Sequence, residues 1–235
     1  MSGMGRRSLA LAFLALLPLK AEAAGCRLAL ALALDVSSSV DSFEYALQKQ
    51  GLAAALTAPE VVRAFFAVPG QPVALLVYEW SGRHQQLVRQ NWRIIEEPED
   101  LKAIAVGLAA MPRTHANLPT AIGAAMAFGG QLLNVGPDCL ERKLDISGDG
   151  TNNDGVWPGD IHTLPMLRDV TVNGLVIGHN RDVLAIYYDQ FVIQGPGAFV
   201  ELAEDHADFE RAMRRKLVRE VGVSALSFAL PADGP

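Results

Sequence analysis

The most constraining feature of this chain is the stretch LALALALDVSSSVD at residues 28–41, in which seven apolar residues end abruptly at Asp35. A strand without a polar face must be covered on both sides, and such strands are typical of parallel sheets that lie between two layers of helices. A second nearly continuous apolar run occupies residues 73–80. These runs predict buried central strands of an α/β sheet.

Strand-like and helix-like segments alternate along the chain. The predicted strands are 27–34, 73–80, 86–92, 142–147, 171–177 and 197–202. The predicted helices are 41–55, 98–111, 119–133, 160–169, 181–191 and 205–221, of which 160–169 should be broken or shortened by Pro165. This order predicts an α/β fold with a Rossmann-like, open, mostly parallel sheet and helices on both faces. Only five residues separate the second and third strands, so we expect a hairpin and one antiparallel strand near an edge.

The N-terminus has the features of a secretory signal peptide. Arg6 and Arg7 precede an apolar run at 9–17, and Ala21-Glu22-Ala23 matches a cleavage site. The apolar run is short for a membrane span, and no later segment has 18 consecutive apolar residues. We therefore predict a signal peptide at 1–23, a single domain at 24–235 with its core at about 27–222, and a bacterial periplasmic or secreted protein.

Charge and motif content exclude several functions. The chain carries a formal charge of −6, and signal cleavage would remove three basic residues and one acidic residue to leave −8. An acidic protein is a poor ligand for nucleic acid or an anionic membrane. The five histidines lack paired zinc-ligand spacing, and neither a G-x-S-x-G elbow nor a P-loop occurs. We find no nucleophile and base in the sequence and predict that the protein is not an enzyme.

Two predicted parallel strands end in oxygen-rich loops. Asp35, Ser37 and Ser39 follow the first strand at spacing i, i+2, i+4, and Asp149 lies in LDISGDGTNND after the fourth. If these strands are neighbours, both loops emerge at the carboxyl edge, where α/β sheets bind ligands. Carboxylate and hydroxyl oxygens suit Mg²⁺, or alternatively Mn²⁺ or Ca²⁺.

These residues resemble the von Willebrand factor A (vWA) family. DVSSS matches its D-x-S-x-S element, SGDG resembles its aspartate element at Asp149, and PTAIGAAM resembles its threonine loop at Thr120. The three elements occur in the family's order and spacing across about residues 27–222. YEW, SGDGTNN, VNGLVI and YYDQFVIQGPGAF are also similar to a group of exported bacterial A-like proteins without an assigned function.

The resemblance implies a metal-ion-dependent adhesion site (MIDAS) with ligands Asp35, Ser37, Ser39, Thr120 and Asp149. In the family, a carboxylate from a protein partner fills the coordination position that the protein leaves open. One departure is Asn117-Leu118-Pro119, where the family has small or glycine residues. Thr114 is therefore the alternative threonine ligand.

Other interpretations remain open from the sequence. The serine loop could be only a strand-to-helix turn with a capping residue, which would make the protein a metal-free exported scaffold. A metal held by Asp35 and Asp149 could instead assist hydrolysis of a phosphoester. Asp145 lies within the fourth strand, either as a hydrogen-bond partner of a metal ligand or as a core carboxylate. Residues 152–154 (Asn-Asn-Asp) are typical of a turn.

The two cysteines predict a disulfide. Cys26 lies nine residues before Asp35, and Cys139 lies ten residues before Asp149. If the two strands are parallel neighbours in matched register, both cysteines lie at the amino edge, about 4.8 Å apart across the sheet. Export favours oxidation, and closing a loop of this length would stabilise the fold by about 4–5 kcal/mol in the chain-entropy description.

Overall fold

A computed structural model describes residues 25–222 of the chain, so the predicted signal peptide at 1–23 lies outside the described residues. The strands are β1 (Cys26–Asp35), β2 (Val73–Trp80), β3 (Gln86–Ile95), β4 (Cys139–Gly148), β5 (Thr171–Ile177) and β6 (Val200–Ala203). The helices are α1 (Ser42–Thr57), α2 (Pro59–Phe65), α3 (Pro98–Ala110), α4 (Ile122–Asn134), α5 (Pro158–Ile161), α6 (Arg181–Phe191) and α7 (Phe209–Val221).

The six strands form one sheet in the order β3-β2-β1-β4-β5-β6. All neighbouring pairs are parallel except β2 and β3, which form the predicted antiparallel hairpin and place β3 at an edge. The prediction of a mostly parallel α/β sheet with one antiparallel strand near an edge is therefore confirmed. β1 and β4 are neighbours, which brings their two carboxyl ends together.

The alternation of Leu and Ala in β1 matches two different helical layers. The leucines at 28, 30, 32 and 34 belong to one apolar core with residues of α1, α2, α3 and α7. The alanines at 29, 31 and 33 face a second core formed with α4, α5 and α6, together with the bulky Tyr78 and Trp80 of β2. Large side chains on one face and small ones on the other let each layer pack closely.

Several element boundaries differ from the sequence prediction. Helix α2 was missed, although Pro59 occupies its first turn, where proline is favoured. Helix α4 begins at Ile122 and not at 119, which leaves Thr120 in the irregular segment before the helix. Pro165 limits the segment predicted as 160–169 to the short α5 and a 3-10 turn at Pro165–Leu167.

The first residues of the last two elements also differ from the sequence prediction. Helix α7 begins at Phe209 and not at 205, because residues 204–208 form a turn in which Asp205 and Asp208 accept backbone hydrogen bonds. Strand β6 begins at Val200 and not at 197. The preceding GPG is a turn in which Gly195 and Gly197 have φ values of 92° and 72°, which glycine adopts without strain.

The opposite, amino edge of the sheet carries the disulfide. Cys26 and Cys139 are register partners on β1 and β4, and their sulfur atoms are bonded. The predicted pairing is therefore present in the structure. Within residues 25–222, no helix is long and apolar enough to cross a membrane.

Candidate metal site

Adjacent loops bring the predicted ligands to one point at the carboxyl edge. Leu34 pairs with Ser147, so Asp35 ends β1 beside the end of β4, and Asp149 follows directly. Two backbone hydrogen bonds join the loop after β1 to its neighbours at this edge. Val36 N–H donates to Trp80 O at the end of β2 (2.9 Å), and Ser38 N–H donates to Leu118 O in the segment before α4 (2.8 Å).

The side chains of four predicted ligands form a continuous hydrogen-bonded row. Thr120 Oγ1 donates to Ser37 Oγ (3.2 Å), Ser37 Oγ lies 3.0 Å from Ser39 Oγ, and Ser39 Oγ donates to Asp149 Oδ1 (2.5 Å). Thr114 is exposed, and its hydroxyl lies 3.2 Å from His115 Nδ1. The structure thus brings Thr120, and not Thr114, to the other four residues.

Asp35 is fully buried beside this row and is only partly satisfied. Its Oδ1 accepts from Ser37 N–H (2.8 Å), while Gln48 Nε2 donates to its main-chain oxygen (3.0 Å). Its Oδ2 is buried and has no hydrogen-bond partner among the described residues. Burial, with the nearby Asp149 carboxylate as the second cause, raises the pKa of Asp35 to about 7.

The donor set fits a hard divalent cation. It offers two carboxylates and three hydroxyls, and the orphaned oxygen of Asp35 needs either a proton or a positive charge. Within residues 25–222, no group of three or more His, Cys, Asp or Glu side chains could hold a metal ion. Oxygen ligands of this kind suit Mg²⁺, Mn²⁺ or Ca²⁺.

Two residues that the sequence analysis did not single out shape the back of the site. A Cβ atom on Gly148 would lie 2.7 Å from Tyr188 Oη and 3.0 Å from Asp35 Oδ2. Only glycine therefore lets β4 pass this close to the Asp35 carboxylate. Tyr188 Oη is itself buried without a partner within residues 25–222, and the sequence contains no signal that would place it here.

The asparagines after Asp149 hold the threonine loop. Asn153 Oδ1 accepts from Thr120 N–H (2.8 Å), and Asn152 Oδ1 accepts from Gly123 N–H at the start of α4 (3.2 Å). Asp154 pairs with Arg83, which lowers the pKa of Asp154 to about 2 through their hydrogen bond. Asn152 and Asn153 therefore connect the loop after β4 to the segment that leads into α4, and Asp154 connects the same loop to the β2–β3 hairpin.

Asp145 lies in the core, away from the ligand row. Its Oδ1 lies 3.1 Å from Lys216 Nζ, and the same ammonium lies 2.6 Å from Glu220 Oε1. Asn173 Nδ2 also donates to Glu220 Oε1 (2.8 Å). Of the two sequence interpretations, the structure supports the core carboxylate.

Comparison with solved structures identifies the fold. The chain is similar to a von Willebrand factor type A protein from Catenulispora acidiphila (TM-score 0.57, 17% identity, 84% of this chain and 43% of that one). It is also similar to proximal thread matrix protein 1 from the mussel byssus with a zinc-occupied MIDAS motif (0.57, 13%, 84% and 46%). A third similar structure is the pilus adhesin SpaC from Lactobacillus rhamnosus (0.59, 13%, 83% and 30%).

The chain therefore has the vWA fold, as its motifs predicted, and it spans less than half the length of each of these three proteins. It belongs to the family described as protein of unknown function (DUF1194), whose model matches residues 25–225. No curated protein matches it.

Proposed function

We propose that Asp35, Ser37, Ser39, Thr120 and Asp149 bind a divalent cation, Mg²⁺ or alternatively Mn²⁺ or Ca²⁺, and that this cation holds a carboxylate of a protein partner. The observation that carries the proposal is the buried Oδ2 of Asp35, which has no hydrogen-bond partner within residues 25–222 and lies next to a second carboxylate and a row of hydroxyls. The zinc-occupied MIDAS motif of the byssus protein supports a metal at this place in the fold.

The charge balance favours an anionic partner. Two carboxylates neutralise a divalent cation, and the Arg113 guanidinium, which donates to the carbonyl of Ser37, leaves one positive charge in excess. Hydroxyl ligands add no negative charge, so the cation stays attractive to an incoming Asp or Glu side chain. The positive charge of the bound cation would offset the net negative charge of the chain, which would otherwise repel such a partner.

The sequence pattern supports a proposal for the cellular location of the protein and for the bounds of its domain. We propose that residues 1–23 direct export and are removed, and that 24–235 act as one vWA domain in the periplasm or outside the cell. The pilus adhesin SpaC has the same fold, which is consistent with a binding role outside the cytoplasm. The proposed role is binding and not catalysis.

Thermal unfolding tests whether the protein binds a divalent cation. The purified protein is melted in chelator and then with Mg²⁺, Mn²⁺, Ca²⁺ or Zn²⁺. At a hundredfold excess over Kd, binding adds about 2.7 kcal/mol, which for a domain of this size raises Tm by roughly 5–10 °C. Asp35→Ala and Thr120→Ala should lose this rise.

Two neighbouring variants are the controls. Ser38→Ala lies in the same loop with an exposed side chain, and Thr114→Ala lies in the same segment as Thr120, so both should keep the full rise. No shift with any cation would refute the cation site. A screen of generic phosphoesters with Mg²⁺ is run beside it, and metal-dependent turnover lost in Asp35→Ala would favour the hydrolase.

The partner's carboxylate needs its own test. Immobilised peptides that each present one Asp or Glu are probed in cation and in chelator, with Asn or Gln at the same position as the matched peptide. Binding that requires both the cation and the carboxylate supports the proposal. Binding that survives in chelator would mean that the partner contacts another surface.

A further inference from the structure

The loop that carries Ser37 and Ser39 is held from behind by a side chain that the motif does not include. Arg113 lies in the segment between α3 and α4, and its Nη2 donates to Val40 O (2.7 Å), Val36 O (3.0 Å) and Ser37 O (3.2 Å). A single guanidinium nitrogen thus contacts three carbonyl oxygens within five consecutive residues.

Two of these carbonyls, Val36 O and Val40 O, depend on a donor from elsewhere, whereas Ser37 O also accepts from Val40 N–H (3.2 Å). Val36, Ser37 and Val40 are all buried, and a buried carbonyl without a partner costs about 1–3 kcal/mol. The loop is neither helix nor strand, so regular backbone pairing cannot supply the donors. Without Arg113 the loop would have to turn these oxygens toward water, which would also turn its serine side chains.

The guanidinium is itself fixed in place. Its Nε donates to His115 O (2.8 Å), and its central carbon lies 5.5 Å from the centre of the Tyr45 ring. Tyr45 is held in turn, because its hydroxyl donates to Glu79 Oε1 (2.6 Å). A planar guanidinium that is held at its Nε can orient several carbonyl acceptors at once. A lysine ammonium would orient them less well.

We infer that Arg113 is a positioning residue that holds loop 36–40 in its cation-binding conformation before any cation binds. The consequence for cation affinity rests on the proposed function, whereas the order of the loop can be measured without a cation. Preorganisation of this kind tightens binding because the free site does not have to be ordered on association.

Arg89 on β3 provides a matched control, because it contacts the same segment between α3 and α4. It is also a nearly buried arginine, and its Nη2 donates to Pro112 O (2.9 Å), next to Arg113. Among the described residues, Arg89 donates no hydrogen bond to loop 36–40; its Nε contacts Met111 Sδ and lies 3.7 Å from Glu79 Oε2. Arg113→Met and Arg89→Met should therefore both lower stability, but only the first should loosen the metal loop.

The first measurement is amide hydrogen exchange in chelator, well below the Tm of each variant. Four loop amides have acceptors in the structure: Val36 N–H on Trp80 O, Ser37 N–H on Asp35 Oδ1, Ser38 N–H on Leu118 O, and Val40 N–H on Ser37 O. We expect at least tenfold faster exchange of these amides in Arg113→Met, wild-type rates in Arg89→Met, and partial recovery in Arg113→Lys. Unchanged exchange in Arg113→Met, or equal acceleration in Arg89→Met, would overturn the inference.

The second measurement is the Mg²⁺ or Mn²⁺ dissociation constant by calorimetry. Arg113→Met should raise Kd about tenfold, Arg113→Lys less, and Arg89→Met not at all. Looser amides with an unchanged Kd would show that the loop conformation does not matter for the cation, against the inference. If the wild-type protein binds no cation, the proposed function fails, and the exchange result still decides whether Arg113 orders the loop.

Discussion

Two buried aspartates on neighbouring strands of this sheet have opposite electrostatic surroundings. Asp145 on β4 pairs with Leu32 of β1, three positions before Asp35, and both carboxylates are fully buried. Asp145 has a cation from its own chain, since Lys216 of α7 lies 3.1 Å away. Asp145 and Glu220 share this ammonium, whereas Asp35 faces the Asp149 carboxylate, and Arg113 at its loop donates to carbonyl oxygens.

The difference teaches which buried charge belongs to the fold and which belongs to a ligand. Burial raises the pKa of both aspartates above the ordinary value, and Lys216 opposes that rise only at Asp145. A buried charge paired by the chain is part of the folded structure. A buried carboxylate oxygen that the described chain leaves unpartnered at a loop edge marks a place where something else can supply the charge.

The largest effect should come from removing the internal cation. Lys216→Met leaves Asp145 and Glu220 together in the core without a positive charge, so we expect a loss of about 3–5 kcal/mol in the free energy of unfolding, measured with urea. The loss should be smaller at pH 5 than at pH 8, because protonation relieves the repulsion between the two carboxylates.

The control is Lys102→Met, which removes an exposed lysine paired with Glu99 and should leave stability unchanged within error. Combining Lys216→Met with Asp145→Asn and Glu220→Gln should recover part of the loss, because the unpaired charges are gone. A Lys216→Met protein as stable as wild type would mean that the core pair is not ionised, and the contrast with Asp35 would then disappear.

The same contrast explains how far the sequence could predict this molecule. The apolar runs, the short hairpin spacing and the D-x-S-x-S motif are local patterns, and they led to the sheet and to Thr120. Arg113 contacts Val40 across 73 residues of sequence, so no local pattern could predict this contact. Lys216 likewise looks like one of several basic residues on an amphipathic helix, and only the packing of α7 reveals that it is buried.

The predicted start of α4 was wrong for a related reason. Residues near 120 have helical composition, yet Asn153 Oδ1 accepts from the backbone N–H of Thr120, and this residue lies outside the helix. Long-range side-chain bonds overrode the local preference at the point where the site needs a free hydroxyl. The ligand roles of the five residues themselves stay a prediction until a cation is measured.

The second effect is a pH dependence that belongs to Asp35. Unfolded, this carboxyl loses its proton near pH 3.9; folded in chelator, it keeps the proton to about pH 7. The folded state binds more protons between these values, so stability should fall as the pH rises from about 4 to 7, by at most about 4 kcal/mol.

Asp35→Asn isolates this contribution from those of other buried groups. The difference in unfolding free energy between wild type and Asp35→Asn, measured in chelator from pH 4 to 8, should change in favour of the variant as the pH rises. Saturating Mg²⁺ should reverse the change above pH 7 in wild type only, since the cation then replaces the proton. A difference that stays constant with pH would show that the pKa of Asp35 is not raised in the folded protein.

The smallest effect tests how closely β4 passes the metal site. In Gly148→Ala the new methyl group would lie 3.0 Å from Asp35 Oδ2 and 2.7 Å from Tyr188 Oη, so the strand must shift. We expect a loss of about 1–3 kcal/mol in urea unfolding and a weaker cation-induced rise in Tm. Gly107→Ala is the matched control, because it lies exposed in α3 with nothing within 4 Å of the new Cβ, and it should stabilise by about 0.5–1 kcal/mol. If Gly148→Ala lost stability but kept the full cation response, the close approach would serve packing alone, and Asp35 would bind its cation without help from the shape of β4.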